Sequence, residues 1–424
     1  MRRSGRWHDE SGERTPAVWL GILMTPPGEQ RPARILPVII FSQFAGTSLW
    51  FAGNAVLDDL TRAWRLAPAA LGYITSAVQV GFICGTLVFA FLALADRLSP
   101  RKVFLGCAAA GALANIAVLA APPQLAALLI CRFATGFFLA GIYPVGMKIA
   151  SGWYDKGLGA ALGLLVGALV LGSALPYALR AWGAQWPWQQ VMVIVSCIAV
   201  AGGLAMYAAV PDGPHLVTGA KVDVRAMVVI WRNPRVRASA FGYFGHMWEL
   251  YTFIVMAPIV IAQYLHTGFT AGVAALSFIV IGAGAIGCVG GGLLAGRFGS
   301  AWMAGSQLAI SGLCCLLSPL LLAAPWWAFL IWMIVWGITV AGDSPQFSAL
   351  TAQNSPKAVV GSVLTFVNCI GFSITIVSIQ VITGLAMHWP LAQVLPLLSI
   401  GPILGLVALW PLLRKAAPAA AEPA

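Results

Sequence analysis

The chain has 424 residues, of which 60% are hydrophobic and only 9% are charged. A soluble domain carries about 25% charged residues, so this composition excludes a soluble globular protein, and its apolar content excludes a disordered one. The formal net charge of +11 does not indicate nucleic-acid binding, because the Lys and Arg residues fall in alternate loops rather than along one stripe.

The first segment, residues 1–33, is predicted to be a cytoplasmic tail. Its apolar patch Ala17–Met24 is too short to cross a bilayer, which takes about 20 residues. The acids Asp9, Glu10 and Glu13 do not suit the basic start of a secretory signal. Met24 is an alternative first residue of the chain.

Twelve apolar runs follow, each long enough to cross a membrane, and we number them spans 1 to 12. Because hydrocarbon offers backbone amides no partner, every run is predicted to be a helix. The predicted fold class is therefore all-α, with twelve transmembrane helices. The predicted limits are 35–57, 69–94, 103–121, 125–150, 157–179, 189–210, 238–264, 271–296, 301–323, 326–352, 358–386 and 391–413.

Basic residues concentrate in every second loop, as in the loop after span 2 with Arg97, Arg101 and Lys102. The intervening loops hold only Arg62, Arg65 and Arg180. The positive-inside rule therefore places both termini in the cytoplasm of a multi-pass inner-membrane protein. The long basic loop 211–237 separates two predicted bundles, 34–210 and 238–413, and residues 414–424 form a second cytoplasmic tail.

The two halves repeat short motifs at an offset of about 200 residues. Ala140–Pro144 reads Ala-Gly-Ile-Tyr-Pro, and Ala341–Pro345 reads Ala-Gly-Asp-Ser-Pro. Two further pairs of segments, near the starts of spans 1 and 7 and after spans 2 and 8, match in the same order. The pattern predicts two pseudo-symmetric six-helix bundles in parallel repeat, an arrangement typical of transporters with a site between the halves.

The loop Leu92–Lys102 reads Leu-Ala-Leu-Ala-Asp-Arg-Leu-Ser-Pro-Arg-Lys. It resembles the loop motif of the major facilitator superfamily, although Leu92 and Ser99 stand where that family prefers Gly. The resemblance implies a secondary transporter that moves a small solute by alternating access, and not an enzyme. It also implies a gate in which Asp96 joins the cytoplasmic ends of spans 2 and 11, with Arg97 and Arg101 completing the charge cluster.

Four ionisable residues lie well inside spans 4, 7 and 10: Arg132, His246, Glu249 and Asp343. A charge at a helix centre costs about 2.5–3.5 kcal/mol, so such residues usually face a partner or an aqueous cavity. In the family that the chain resembles, spans 1, 4, 7 and 10 line the central cavity. We hypothesise that Glu249, helped by His246 or Asp343, carries a coupling proton, because burial near another acid favours the protonated carboxyl.

The candidate substrate-binding side chains are polar or aromatic and lie in the same four spans: Gln43, Trp50, Asn54, Arg132, Tyr143, Trp248, Tyr251 and Gln346. The expected partners are a small-molecule or ion substrate, protons and the lipid bilayer, with the protein acting as a monomer. No cofactor is expected, since the Gly-x-Gly-x-x-Gly run at 282–287 lies inside a spanning helix with no strand before it. No resident metal is expected either, since two acids and one His, namely Glu249, Asp343 and His246, are thin evidence for a metal site. The alternatives are an inorganic-anion or divalent-metal porter of the same fold, and a membrane sensor that transports nothing. Substrate identity and the direction of transport stay open.

Overall fold

The computed structural model describes residues 32–67, 69–154, 158–183, 185–216 and 222–416. Within these ranges the chain forms helices and short connections, and no strand occurs. The predicted cytoplasmic tails, apart from a few residues at their inner edges, and the alternative start at Met24 lie outside the described residues.

Eleven helices among the described residues are long and apolar enough to cross a membrane, and Ile35–Thr47 is a shorter apolar helix before them. The predicted fold of twelve transmembrane helices is thereby confirmed, with span 1 as the short member. The bounds of spans 2 to 12 are Ala70–Phe91, Pro100–Leu119, Leu125–Trp153, Gly159–Trp182, Trp188–Ala209, Pro234–Tyr264, Ala271–Phe298, Ser300–Leu321, Trp326–Asn354, Val360–Ala386 and Leu391–Arg414.

Span 1 is not the single continuous helix that the apolar run at 35–57 predicts. Its first helix ends at Thr47, a short helix covers Ala52–Ala55, and a third covers Leu57–Trp64. The last helix carries Asp58 and Asp59 in its first turn and Arg62 in its final turn, which suits the helix dipole. The interruption between Thr47 and Ala52 leaves backbone carbonyls that need a partner from another helix.

Spans 4 and 10 are interrupted at the repeated motif. Span 4 divides into Leu125–Leu139 and Tyr143–Trp153, and span 10 divides into Trp326–Gly342 and Ser344–Asn354. In both spans a proline is the second residue of the new helix. Proline has no N–H to donate to the preceding turn and disfavours helical geometry in the residue before it. The repeat seen in the sequence is therefore also a repeated break in the backbone.

Each half packs mainly on itself. Span 1 lies against spans 5 and 6, and span 2 lies against span 4; in the second half, span 7 lies against spans 11 and 12, and span 8 lies against span 10. The halves meet along two seams, one between spans 2 and 11 and the other between spans 5 and 8. The residue limits of the two bundles, 34–210 and 238–413, stay a prediction.

The seam between spans 2 and 4 depends on glycine. A Cβ atom at Gly136 of span 4 would overlap the carbonyl oxygen of Val78, and one at Gly81 of span 2 would overlap the carbonyl oxygen of Phe133. Small residues let membrane helices approach this closely. Inside a bilayer the hydrophobic effect does not drive helices together, so van der Waals contacts of this kind hold them in place.

We predict that Gly136→Leu destabilises the protein, because overpacking a close helix contact costs about 1–3 kcal/mol. The measurement is thermal unfolding of the purified protein in detergent. Gly106→Leu is the matched control, since a Cβ at Gly106 meets nothing within 4 Å. Equal melting temperatures for the two variants would contradict the packing argument.

Candidate functional site

The clearest ionisable pair joins spans 7 and 10. His246 Nδ1 lies 2.7 Å from Asp343 Oδ1, and the two side chains are 1% and 0% exposed. Asp343 sits at the break of span 10, immediately before the helix Ser344–Asn354. The positive end of that helix favours a carboxylate, so the break helps to hold an acid in the membrane interior.

A small cavity lies between the halves, next to this pair. Residues adjacent in sequence to Asp343 and His246 contribute to its wall, so the pair is in the layer directly behind it. The cavity is lined by Tyr143, Val166, Leu169, Val170, Tyr243, Met247, Leu250, Tyr251, Ala341, Ser344 and Phe372. The rings of Tyr243 and Phe347 lie 5.7 and 6.1 Å from the imidazole of His246, which shields the pair further.

Glu249 lies apart from that pair and inside the second bundle. Its carboxylate accepts hydrogen bonds from Ser311 Oγ at 2.9 Å, from Cys315 Sγ at 3.2 Å and from Trp336 Nε1 at 2.5 Å. These donors belong to spans 9 and 10. Within the described residues, Glu249 forms no ion pair with His246. Of the three predicted proton-carrying residues, the structure therefore brings two together and gives the third neutral partners.

Arg132 is fully buried inside the first bundle. It donates to Asn115 Oδ1 at 2.8 Å, to the carbonyl of Leu49 at 2.9 Å and to the carbonyl of Trp50 at 2.7 Å. The two carbonyls lie in the interruption of span 1. In a continuous helix these two carbonyls would accept from backbone N–H groups, and here the guanidinium donates to them instead. All the hydrogen-bond partners of Arg132 are protein oxygens.

Arg132 and Glu249 occupy related places in the two halves. At the repeat offset of about 200 residues, Leu49 corresponds to Glu249, and Asn115 corresponds to Cys315. Leu49 and Asn115 contact Arg132, while Cys315 contacts Glu249. Each bundle therefore encloses one ionisable side chain at a related position, a guanidinium in the first half and a carboxyl group in the second.

Aromatic rings fill the interface beside the cavity, and two of them, Tyr251 and Phe372, also belong to its wall. The Trp50 ring centroid lies 5.0 Å from that of Phe82 and 5.6 Å from that of Phe372. Phe82 and Phe372 are 4.5 Å apart, and Tyr251 is 5.2 Å from Phe372. We call these four residues the aromatic cluster. Phe82 and Phe372 were not predicted, because a single Phe in an apolar helix carries no signal of its position.

The remaining predicted substrate residues are dispersed. Asn54 donates to Thr75 Oγ1 at 2.6 Å, and Gln43 and Gln346 are buried within their bundles. Tyr143 belongs to the cavity wall. Trp248 instead donates to the carbonyl of Leu397 in span 12 at 3.4 Å, on the side of span 7 away from the interface.

The predicted gate residues lie at the end of the first bundle where spans 2 and 3 are joined. Asp96 Oδ1 is 2.7 Å from Lys148 Nζ of span 4. Arg101 donates to the carbonyl of Tyr207 at 3.3 Å and lies over its ring, and Arg97 is exposed. A contact of Asp96 with span 11 stays a prediction.

A family model described as Major Facilitator Superfamily matches residues 36–378. The chain belongs to this superfamily. It is accordingly a multi-pass membrane protein.

Individual relatives are distant. The chain is 25% identical over 252 residues to the uncharacterized transporter YgaY of Escherichia coli strain K12, covering 55% of this chain and 61% of that protein, and it matches the O157:H7 counterpart equally. Among solved structures, the human organic anion transporter MFSD10 (TETRAN) has a TM-score of 0.67 at 15% identity, covering 90% of this chain and 100% of that one. The proton:xylose symporter XylE, bound to 6-bromo-6-deoxy-D-glucose, has a TM-score of 0.68 at 13% identity, covering 90% and 96%. At these identities the likeness shows the fold alone.

We predict that Arg132→Leu destabilises the protein more than Arg132→Lys. Leucine leaves two span 1 carbonyls and the Asn115 amide oxygen without a donor, at about 1–3 kcal/mol for each buried unsatisfied group. Lysine keeps a charged donor but loses the planar fork. The measurement is the thermal unfolding midpoint in detergent. A leucine variant as stable as the native protein would mean that Arg132 does not hold span 1.

Proposed function

We propose that this transporter moves a small organic solute by alternating access and couples the movement to protons at Asp343 and His246. The observation that carries the proposal is the buried His246–Asp343 pair, with 2.7 Å between Nδ1 and Oδ1, at the break of span 10 beside the cavity. The two residues lie on different helices of the second bundle, and the cavity beside them is shared with the first.

Burial makes this pair sensitive to protons. An ionised acid in the membrane interior is costly unless it has a charged partner. A proton on the imidazole gives such a partner, and a proton on the carboxyl removes the charge altogether. A solute that enters the cavity, or water that reaches it from one side, changes which state is favoured. The membrane potential supplies about 2.3 kcal/mol for each charge moved through 100 mV.

The contacts favour Asp343 over Glu249 as the exchanging acid. Three donors, from Ser311, Cys315 and Trp336, already occupy the Glu249 carboxyl group, whereas Asp343 faces the imidazole of His246 beside the cavity. We therefore propose that Glu249 is a buried acid fixed inside its bundle, a narrower role than the sequence hypothesis gave it.

The orientation follows from the distribution of charge. Excess Lys and Arg in every second loop supports both termini in the cytoplasm and insertion in the inner membrane. The Asp96–Lys148 pair, at 2.7 Å, supports a gate role for the cytoplasmic end of span 2, with Arg97 and Arg101 close to it in sequence.

We predict that Asp343→Asn abolishes proton-driven accumulation, because asparagine cannot bind and release the proton. The assay uses proteoliposomes with an imposed pH gradient, an entrapped pH-sensitive dye, and a panel of labelled organic solutes together with nitrate and Zn²⁺. The native protein is expected to concentrate an organic solute together with a proton signal. Uptake of nitrate or Zn²⁺ alone, or no coupled uptake at all, would contradict the proposal.

Glu249→Gln is the matched comparison. It makes the same change of acid to amide at the buried acid that we propose as fixed, so we expect coupling to persist, with a lower unfolding temperature because donors now face an amide. If Glu249→Gln lost coupling and Asp343→Asn kept it, the proton would have to be assigned to Glu249.

A further inference from the structure

Gln79 of span 2 is a buried polar residue that the proposed proton site does not use. Its side chain is 0% exposed, and neither its amide oxygen nor its amide nitrogen has a hydrogen-bond partner within the described residues. Native proteins leave few such groups unpaired, because burying an amide without a partner costs free energy. A fully buried amide with all its hydrogen bonds unused requires an explanation.

The direction of Gln79 follows from its neighbours on the helix. Thr75, Gln79 and Phe82 are four and three residues apart, so they share one face of span 2. Thr75 on that face accepts a hydrogen bond from Asn54 of span 1, and Phe82 contacts Phe372 of span 11. Gly81, on the other side, packs on the backbone of span 4. Gln79 therefore points toward the space between spans 1 and 11.

Spans 2 and 11 contact each other on both sides of Gln79 along the helix axis. On the outer side, Gln380 of span 11 donates to Ser76 Oγ of span 2 at 2.8 Å. On the inner side is the aromatic cluster, which includes Phe82. Ser76 and Phe82 are each three residues from Gln79, or about 4.5 Å along the helix axis. Gln79 thus lies between the Ser76–Gln380 hydrogen bond, which we call the outer closure, and the aromatic cluster, which forms the floor. Both of these contacts join one bundle to the other.

Further hydrogen-bonding atoms at the same level are unused. Asn54 Oδ1 and Trp50 Nε1 are buried and have no partner in the part of the chain that the structure describes. Asn54 donates a hydrogen bond to Thr75, one turn from Gln79, and the Trp50 ring lies tilted against that of Phe82. The unused acceptors are therefore the amide oxygens of Gln79 and Asn54, and the unused donors are the Gln79 amide nitrogen and the Trp50 indole nitrogen. None of these side chains is ionisable.

We propose that Gln79 and Asn54, together with the Trp50 indole, form an outward-facing substrate subsite for an uncharged aromatic solute with a carboxamide-like head. This proposal rests on the transport function proposed above and names the class of its substrate. A carboxamide has both a donor and an acceptor, so it pairs with a glutamine amide through two hydrogen bonds. Its ring is suited to the aromatic floor, where offset and tilted ring contacts are favourable.

The subsite carries no charge, and it is therefore expected to bind ionic solutes poorly. A carboxylate or an ammonium group placed beside Gln79 would lose its water without gaining an opposite charge, which is more costly than burying a neutral amide. The buried guanidinium of Arg132 cannot serve an anion without giving up the carbonyls of Leu49 and Trp50. The site is therefore complementary to a neutral head.

Separation of spans 2 and 11 gives access to this subsite. The outer closure and the floor both cross between the bundles, whereas the Asn54–Thr75 bond lies within the first bundle. When the bundles part on the outer side, Gln79, Asn54 and Trp50 stay together on the first bundle and become exposed. The subsite is then a point of entry or release that precedes or follows the central cavity.

The test measures binding to the purified full-length protein by thermal unfolding at equilibrium, with benzamide, benzoate and benzylammonium as probes of similar size. Benzamide is expected to raise the unfolding temperature with a saturable dose dependence, and the two ions are not. Gln79→Leu is expected to weaken benzamide binding at least about tenfold, because two hydrogen bonds are lost. Gln190→Leu, a change at an exposed position of span 6, is expected to leave the binding unchanged.

Folding and recognition are separated by a second variant. Gln79→Leu removes two unpaired buried atoms, so its own stability is expected to be kept or raised. Gln79→Glu keeps the side-chain size and adds a negative charge, and it is expected to change the preference from benzamide to benzylammonium. No benzamide shift in the native protein, equal shifts for all three probes, or an unchanged preference in Gln79→Glu would overturn the subsite.

The binding assay has no pH gradient, so its outcome does not depend on proton coupling. Benzamide binding that is lost in Gln79→Leu, combined with proteoliposomes that show no coupled uptake, would contradict the proposed proton mechanism alone. Coupled uptake of a charged solute that Gln79→Leu does not affect would contradict the subsite alone.

Discussion

Hydrocarbon cannot hydrogen-bond to the backbone, and this constraint determines where the chain places its few buried charges. Span 1 is interrupted after Thr47, and the carbonyls of Leu49 and Trp50 in the interruption accept from Arg132. Span 10 is interrupted at Asp343, where a helix begins whose positive end favours an acid. In spans 1 and 10 the break therefore meets an ionisable side chain that is costly to bury in a membrane.

The buried charges fall into two kinds, and their partners distinguish them. Arg132 faces three oxygens, and Glu249 faces three donors, none of which changes charge readily. These two residues occupy related positions of the repeat, so each bundle holds one ionisable side chain by internal hydrogen bonds. Asp343 instead faces His246, next to the cavity that the two bundles share. The proposed function assigns the exchange of protons to this pair and a structural role to the other two residues.

The sequence predicts the parts of this arrangement that depend on periodicity and depth. Apolar runs predict the spans, and the repeated Ala-Gly-x-x-Pro motif predicts the relation between the halves but not that spans 4 and 10 break at it. The rise of about 1.5 Å per residue gives the depth of each residue in its helix. Depth along the helix axis does not show in which direction around that axis a side chain points. The sequence hypothesis groups Glu249 with His246 and Asp343, but Glu249 faces span 9 through Ser311 and Cys315. Arg132 faces backbone carbonyls of the interrupted span 1, and no sequence pattern predicts that interruption. The sequence analysis does not predict Phe82, Phe372 or Gln79 for the same reason. A single side chain in an apolar run does not show which neighbour it faces.

The aromatic cluster connects the rigid and the moving parts. Arg132 holds the carbonyl of Trp50, and the ring of Trp50 lies against Phe372 and Tyr251 of the other bundle. The ion that fastens the first bundle therefore also sets the position of the ring that meets the second. Ring contacts of this kind are short-ranged and carry no charge, so they can separate on one side of the membrane without leaving an unpaired ion. The outer closure of Ser76 and Gln380 is likewise neutral. An interface made of rings and amides is suited to open and close repeatedly, because parting it exposes groups that water or a neutral solute can satisfy.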